Sequence, residues 1–223
     1  MIRDLIIDNN VDILCLNETW LSETDTPVIT ALVPDTHSFY HFPRDNGQRG
    51  GGVGVVIDKF FTNVKSYKRV YQYFECLEVR MKINSTNIQL FSIYRPPRNF
   101  SEFLSEFEFF LLETRASNNC ILFVGDFNVW IDDLTNSDAR RFCQVLDHLS
   151  LKNYINDATY DSGHTLDLVI SDSTSEALCD FFVEPVCTIS DHRLISFTLN
   201  VSISLKHEKI SKIFQFNFYF LCE

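Results

Sequence analysis

The stretch Ile121-Leu122-Phe123-Val124-Gly125-Asp126-Phe127-Asn128 constrains the fold more than any other. Four apolar residues in a row, two of them β-branched, read as a strand buried on both faces. A strand of that kind needs a layer on each side, which points to an α/β architecture. It ends in a glycine followed by Asp126 and Asn128. In extended chain, positions i and i+2 share a face, so the carboxylate and the amide point together while Phe127 turns to the core. A buried strand that delivers paired polar groups at its C-terminal end is one way of building a site in α/β proteins. An Asx-type turn closing a core strand fits the same eight residues.

The remaining chain supplies the other layers. Residues 2–9 have helical spacing of apolar residues, and residues 12–17 read as a buried strand with Glu18 at its end, on the face of Leu14 and Leu16. Glu18 is a solvated loop residue or a ligand on that reading. Arg49-Gly50-Gly51-Gly52-Val53-Gly54 lacks the Lys-Ser/Thr of a phosphate loop and reads as a turn into a strand, with Arg44 and Arg49 placed to meet a phosphate backbone. Residues 73–83 and 88–94 form a hairpin pattern around 84–87, and Pro96-Pro97 ends the second run just after Tyr94 and Arg95. A helix over 101–116, with Ser101 as its cap, carries an apolar stripe of Phe103, Leu104, Phe107, Phe110 and Leu111. A second helix covers 137–149. Residues 165–171 read as a strand with Asp167 in its middle, a carboxylate that needs a partner if buried. Strands over 179–187, broken at Pro185, and 193–201 follow, with Ser190-Asp191-His192 between them. The pattern divides the chain into one domain, 1–205, and a tail, 206–223, whose aromatic alternation (IFQFNFYFLC) leaves open whether it packs as a strand.

Composition narrows the function. At 223 residues and 45% hydrophobic, the chain can bury one substantial core. A net charge of −11 argues against holding nucleic acid by diffuse electrostatics, so any such contact must come from local basic groups and metal ions. The seven cysteines form no close pairs and read as reduced core residues. Asp4, Asp8 and Asp12 interrupt the N-terminus before a signal-type apolar stretch develops, and no run approaches the roughly 20 apolar residues of a membrane span. The expectation is a soluble, intracellular protein without a membrane or an evident protein partner.

Polar groups at strand ends thus recur along the chain: Glu18, Tyr94, Asp126 with Asn128, Asp167, and Asp191 with His192. With NETWLS (17–22), RGGGVGV (49–55), YRPP (94–97), GDFN (125–128), TLDLVIS (165–171) and SDH (190–192) in that order, the chain resembles the endonuclease/exonuclease/phosphatase superfamily. Within it, the chain looks most like the endonuclease domain of non-LTR retrotransposons. The resemblance implies an α/β (α+β) four-layer sandwich, two packed mixed β-sheets with helices outside. It implies that Glu18 ligates Mg²⁺ (Mn²⁺ as substitute) with Asp191 beside the metal. Asp126 orients or deprotonates the attacking water, and Asn128 bonds to it or to the phosphate. Asp167 holds a protonated His192, Tyr94 donates to a phosphate oxygen, and Arg44, Arg49 and Arg95 contact the DNA backbone. The implied activity is DNA nicking that leaves a 3′-hydroxyl, in the nucleus where chromosomal DNA is the target. A phosphoesterase on phosphoinositides or nucleotides, or an inactive remnant, are the alternatives. The family opens with a strand carrying an Asn near the metal, whereas this chain begins at the following helix; the resemblance therefore implies a domain lacking its first strand, with the neighbouring strand's edge left open. Such relatives continue into a reverse transcriptase, so the chain reads as a piece of a longer element.

Overall fold

A computed structural model describes residues 2–44, 50–83, 86–115, 120–185, 190–204 and 211–222, with side chains up to residue 201. In chain order the elements are α1 (Ile2–Asp8), β1 (Ile13–Asn17), α2 (Thr26–Leu32), β2 (His37–Phe42), β3 (Val53–Asp58), β4 (Lys65–Val70), β5 (Glu75–Ile83) and β6 (Thr86–Tyr94). They continue with α3 (Phe100–Arg115), β7 (Cys120–Asp126), α4 (Ser137–His148), β8 (Leu151–Asn153), β9 (Asp167–Asp172), β10 (Leu178–Val183), β11 (Ile195–Ser204) and β12 (Ser211–Cys222).

The strands form two six-stranded sheets, ordered β10-β11-β12-β1-β3-β2 and β4-β5-β6-β7-β9-β8. Period-two alternation in the strands assigns the layers. Ile13 and Cys15 of β1 join Val53, Val55 and Ile57 of β3 in the core between the sheets, against Leu77, Leu90, Leu122 and Val124. Leu14 and Leu16 point the other way and pack with Ile2 and Ile6 of α1. Phe91, Ile93 and Phe123 cover the outer face of the second sheet, under Phe103, Phe107 and Phe110 of α3 and Phe142 of α4. The result is helix, sheet, sheet, helix, as the resemblance implies. β6 and β7 are parallel, and α3 is the crossover that parallel neighbours require. Phe107 is the hub of the outer layer, with ring centroids 5.3 Å from Phe103, 5.5 Å from Phe127 and 5.8 Å from Phe142.

Several local expectations shift. α3 starts at Phe100, so Ser101 lies inside its first turn and is not the cap; its hydroxyl accepts from Arg141 at 3.1 Å instead. Asp167 heads β9 and does not sit in its middle, because the ladder with β7 begins at the Asp126↔Asp167 pair. β10 stops at Val183, before Pro185. The cysteines at 15, 76, 120, 143 and 179 are free thiols. Among the described residues no helix is long and apolar enough to cross a membrane.

The tail, left open by the sequence, includes a strand. β12 runs antiparallel to β11 and parallel to β1, pairing Phe218 with Ile13 and Cys222 with Asn17. β1 thus has β3 on one side and the C-terminal segment on the other, which satisfies its backbone groups on both edges.

Candidate active site

Four strand termini meet at one end of the sandwich. In the second sheet Tyr94, Asp126 and Asp167 end or begin β6, β7 and β9 in direct register, Tyr94 opposite Asp126 and Asp126 opposite Asp167. In the first sheet the buried Asn17 ends β1, and its side-chain amide donates across the sandwich to the Ile93 carbonyl at 2.5 Å while its oxygen accepts from Ser92 at 3.3 Å. This cross-sheet tie fixes where the next residue, Glu18, emerges. Glu18 has a φ of +50°, which ends the strand and lifts its carboxylate off the face of Leu14 and Leu16. It swings over the end of the sandwich and accepts a hydrogen bond from the Tyr94 hydroxyl. The expected shared face with Leu14 and Leu16 thus gives way to a turn.

Asn128 also adopts a left-handed backbone, φ +50°. Its backbone N–H and side-chain amide both donate to Asp126, at 2.8 and 2.7 Å, and the amide donates again to the Arg95 carbonyl at 2.8 Å. Side chains with φ in this region are uncommon and cluster at functional sites. His192 Nδ1 meets Asp167 Oδ2 at 2.8 Å, so the buried carboxylate has the partner its position demands. Glu18, Tyr94, Asp126, Asn128, Asp191 and His192 line one cleft of about 460 Å³.

The electrostatics follow from crowding acids in a dry place. Burial pushes the Asp126 carboxyl well above the usual carboxylate range, and the charge of Asp167 pushes it further, with His192 pulling back. Asp167 is raised by burial against the opposing hydrogen bond and charge of His192. Burial disfavours the charged His192, but the hydrogen bond and charge of Asp167 outweigh it, with help from Asp126 and Asp191, and lift the imidazole to about 9. Burial and the Glu18 bond raise the Tyr94 hydroxyl, which keeps it a neutral donor.

Three acids, Glu18, Asp126 and Asp191, therefore line one cleft with His192, and Asp167 lies buried behind the imidazole. That surplus of acids, with no basic side chain among the described residues lining the cleft besides His192, suits a hard cation. Among the described residues no group of three or more acid, His or Cys side chains is arranged to hold a metal ion. The donor set fits an ion that takes one or two carboxylates and keeps its waters, as Mg²⁺ does, and not a four-ligand zinc site.

Two of the three arginines are accounted for. The Arg95 guanidinium is 4% exposed; it donates to the Phe127 and Asn128 carbonyls at 3.0 and 2.9 Å and lies 5.0 Å from the Phe103 ring centroid. These bonds hold the strand ends together, and the buried side chain sits behind them. Arg44 ion-pairs with Glu75 and lies over the Tyr94 ring at 5.4 Å. Arg49 falls outside the described residues. Tyr160 and Trp130 also line the cleft, Tyr160 with its ring 4.9 Å from His192. Neither stands in a motif with chemistry of its own, so nothing in the local sequence singled them out. Asn17 was visible only as the residue before Glu18.

A model of the endonuclease/exonuclease/phosphatase family matches residues 1–192. Solved structures agree in fold at low identity. An AP endonuclease from Leishmania major is 16% identical over 86% of this chain and 79% of that one, with a TM-score of 0.68. The endonuclease domain of TRAS1, a telomere-specific non-LTR retrotransposon, is 13% identical over 84% of this chain and 97% of that one, with a TM-score of 0.58. An AP endonuclease from Archaeoglobus fulgidus is 16% identical over 90% and 93%, with a TM-score of 0.67. A sequence search of curated proteins found no match.

Proposed function

The chain belongs to the endonuclease/exonuclease/phosphatase family, and from that premise we propose that it is a Mg²⁺-dependent phosphodiesterase that nicks DNA and leaves a 3′-hydroxyl, as the endonuclease of a non-LTR retrotransposon. The observation that carries the reading is the registered row Tyr94–Asp126–Asp167, capped by His192 and faced by Glu18 from the other sheet. This is an arrangement for in-line attack on a phosphorus centre, where catalysis is chiefly positioning and charge stabilisation.

Glu18 would hold the ion, with Asp191 as the second acid of the cleft. When bound, Mg²⁺ supplies a Lewis acid at the phosphoryl oxygens and offsets the surplus of carboxylates. Asp126, held in place by both donors of Asn128, accepts the proton of the attacking water; its raised pKa makes it a stronger base than an ordinary carboxylate. The water oxygen bonds to phosphorus as the bond to the 3′-oxygen breaks, and that oxygen leaves as the hydroxyl after taking a proton from solvent. His192, kept charged by Asp167, donates to a phosphoryl oxygen through Nε2, and the neutral Tyr94 hydroxyl donates to another. Arg44, alongside Tyr94, lies next to the DNA backbone.

Supercoiled plasmid incubated with protein and Mg²⁺ should convert to the nicked form, and Asp126→Ala and His192→Ala should each abolish conversion. Nicking that survives both substitutions sinks the assignment. Phosphate release from small esters with no nicking would move the protein to another substrate of the same chemistry, and the 3′ phosphatase from Neisseria bound to a product DNA hairpin, 15% identical at a TM-score of 0.61, has this fold too.

A further inference from the structure

The chain has two tryptophans, and both are at the mouth of this site and exposed, Trp20 by 54% and Trp130 by 45%. Tryptophan is on average highly buried, so placing both in solvent is unusual. Each follows a site residue by two positions, Trp20 after Glu18 on the first sheet and Trp130 after Asn128 on the second. Each is also held. The Trp20 indole N–H donates to Glu18 Oε2 at 3.3 Å, its backbone N–H donates to the Gly51 carbonyl at 3.0 Å, and its φ is +52°. The Trp130 ring lies parallel on His164, centroids 4.1 Å apart and planes 4° apart. His164 is in turn fixed by Asp132 at 2.9 Å, and Asp132 accepts from the Thr165 backbone at 2.8 Å. Two rings fixed by a tier of polar contacts, with about half their surface in water, are preorganised to receive a flat partner.

We propose that Trp20 and Trp130 are stacking platforms for unpaired bases flanking the scissile phosphate, so that the protein selects DNA with unstacked bases, single-stranded or bulged, over regular duplex; this rests on the phosphodiesterase reading. The acidic chain, −11 overall, cannot gain affinity from diffuse attraction to the backbone. Base–aromatic stacking supplies affinity without charge, worth roughly 5- to 150-fold per base. In regular duplex the base faces are already occupied, and freeing one costs most of that gain.

Both tryptophans report on this site alone, so intrinsic fluorescence measures the contact without turnover. Metal-free protein in EDTA is titrated with one sequence as single strand, as duplex and as duplex with a short bulge, and overall binding is followed in parallel by anisotropy of labelled DNA. We expect quenching by the single strand and the bulge with affinity roughly 10-fold or more above duplex. Trp20→Ala and Trp130→Ala should each shrink that ratio toward one, and Trp130→Phe should restore part of it. Equal affinity for duplex, binding without quenching, or alanine variants that keep the ratio would each overturn the proposal. Hydrolysis of bis(4-nitrophenyl) phosphate with Mg²⁺ separates the two readings. Hydrolysis without base preference removes the stacking role and leaves the phosphodiesterase. Base preference without hydrolysis of any phosphodiester does the reverse.

Discussion

Gly125→Ala should unfold this protein, for a reason the ladder geometry makes quantitative. Gly125 has a φ of +155°, and a Cβ built there would lie 1.8 Å from the Ile93 carbonyl oxygen and 2.7 Å from its carbon. Restoring a separation of 3.0 Å, the closest that real Cβ atoms keep, means moving β7 away from β6 by about 3.0 − 1.8 = 1.2 Å. That breaks the parallel ladder at Ile93↔Gly125 and Tyr94↔Asp126 and strains the 2.9 Å bond from the Arg95 N–H to the Asp126 carbonyl. Two ladder bonds at about 1 kcal/mol each, a backbone conformation costing ~1–3 kcal/mol and overpacking of ~1–3 kcal/mol reach roughly 4–8 kcal/mol. A native domain has only about 5–15 kcal/mol in total. Urea unfolding followed by circular dichroism should show a lost or drastically lowered transition. Gly163→Ala is the matched control: its φ is +89°, yet nothing lies within 4 Å of the added carbon, so only the backbone cost of roughly 1 kcal/mol applies. A loss below about 1 kcal/mol at Gly125, or equal losses at the two glycines, would refute the close approach of β6 and β7.

His192 in metal-free protein should titrate near 9 by NMR, and Asp167→Asn should lower it, because burial then meets only the charges of Asp126 and Asp191. The sign follows from linkage: the folded pKa is raised, so the pair contributes fully below pH 6.5 and its contribution of about 3 kcal/mol is lost as pH rises through about 9. The basic limb of nicking should shift down with it; an unmoved imidazole in Asp167→Asn would break the assignment. Phe107→Ala removes a ring that is 0% exposed and touches Phe127, the residue between Asp126 and Asn128, and should cost ~3–5 kcal/mol by thermal unfolding. Deleting residues 205–223 should abolish cooperative unfolding, since β1 and β11 lose their shared neighbour; a deletion variant with an unchanged midpoint would show that β12 adds nothing to the sheet.

Much of the site could be read from the chain because its chemistry is local. Asp126 and Asn128 lie two residues apart, and a strand's period of two puts both at one end of β7 whatever surrounds it. What escaped the sequence depends on distance. Arg95 stands one residue past a site tyrosine and reads as a phosphate contact, but its direction was set by the Phe127 and Asn128 carbonyls and by the rings of α3. Glu18 kept its place yet lost its predicted face, because a positive φ overrides the alternation that placed it. The tail is the sharpest case. Its alternating aromatics specify a strand, but period two says nothing about which edge a strand will seek, and the edge available was β1, some 200 residues away in sequence. β12 has its last paired residue, Cys222, beside Asn17, the residue that ties the sheets and leads into Glu18. The last pair of that ladder thus lies one residue before the carboxylate proposed to hold the ion, so loss of the tail should weaken Mg²⁺ binding together with the fold, which titration of the deletion variant with Mg²⁺ would check.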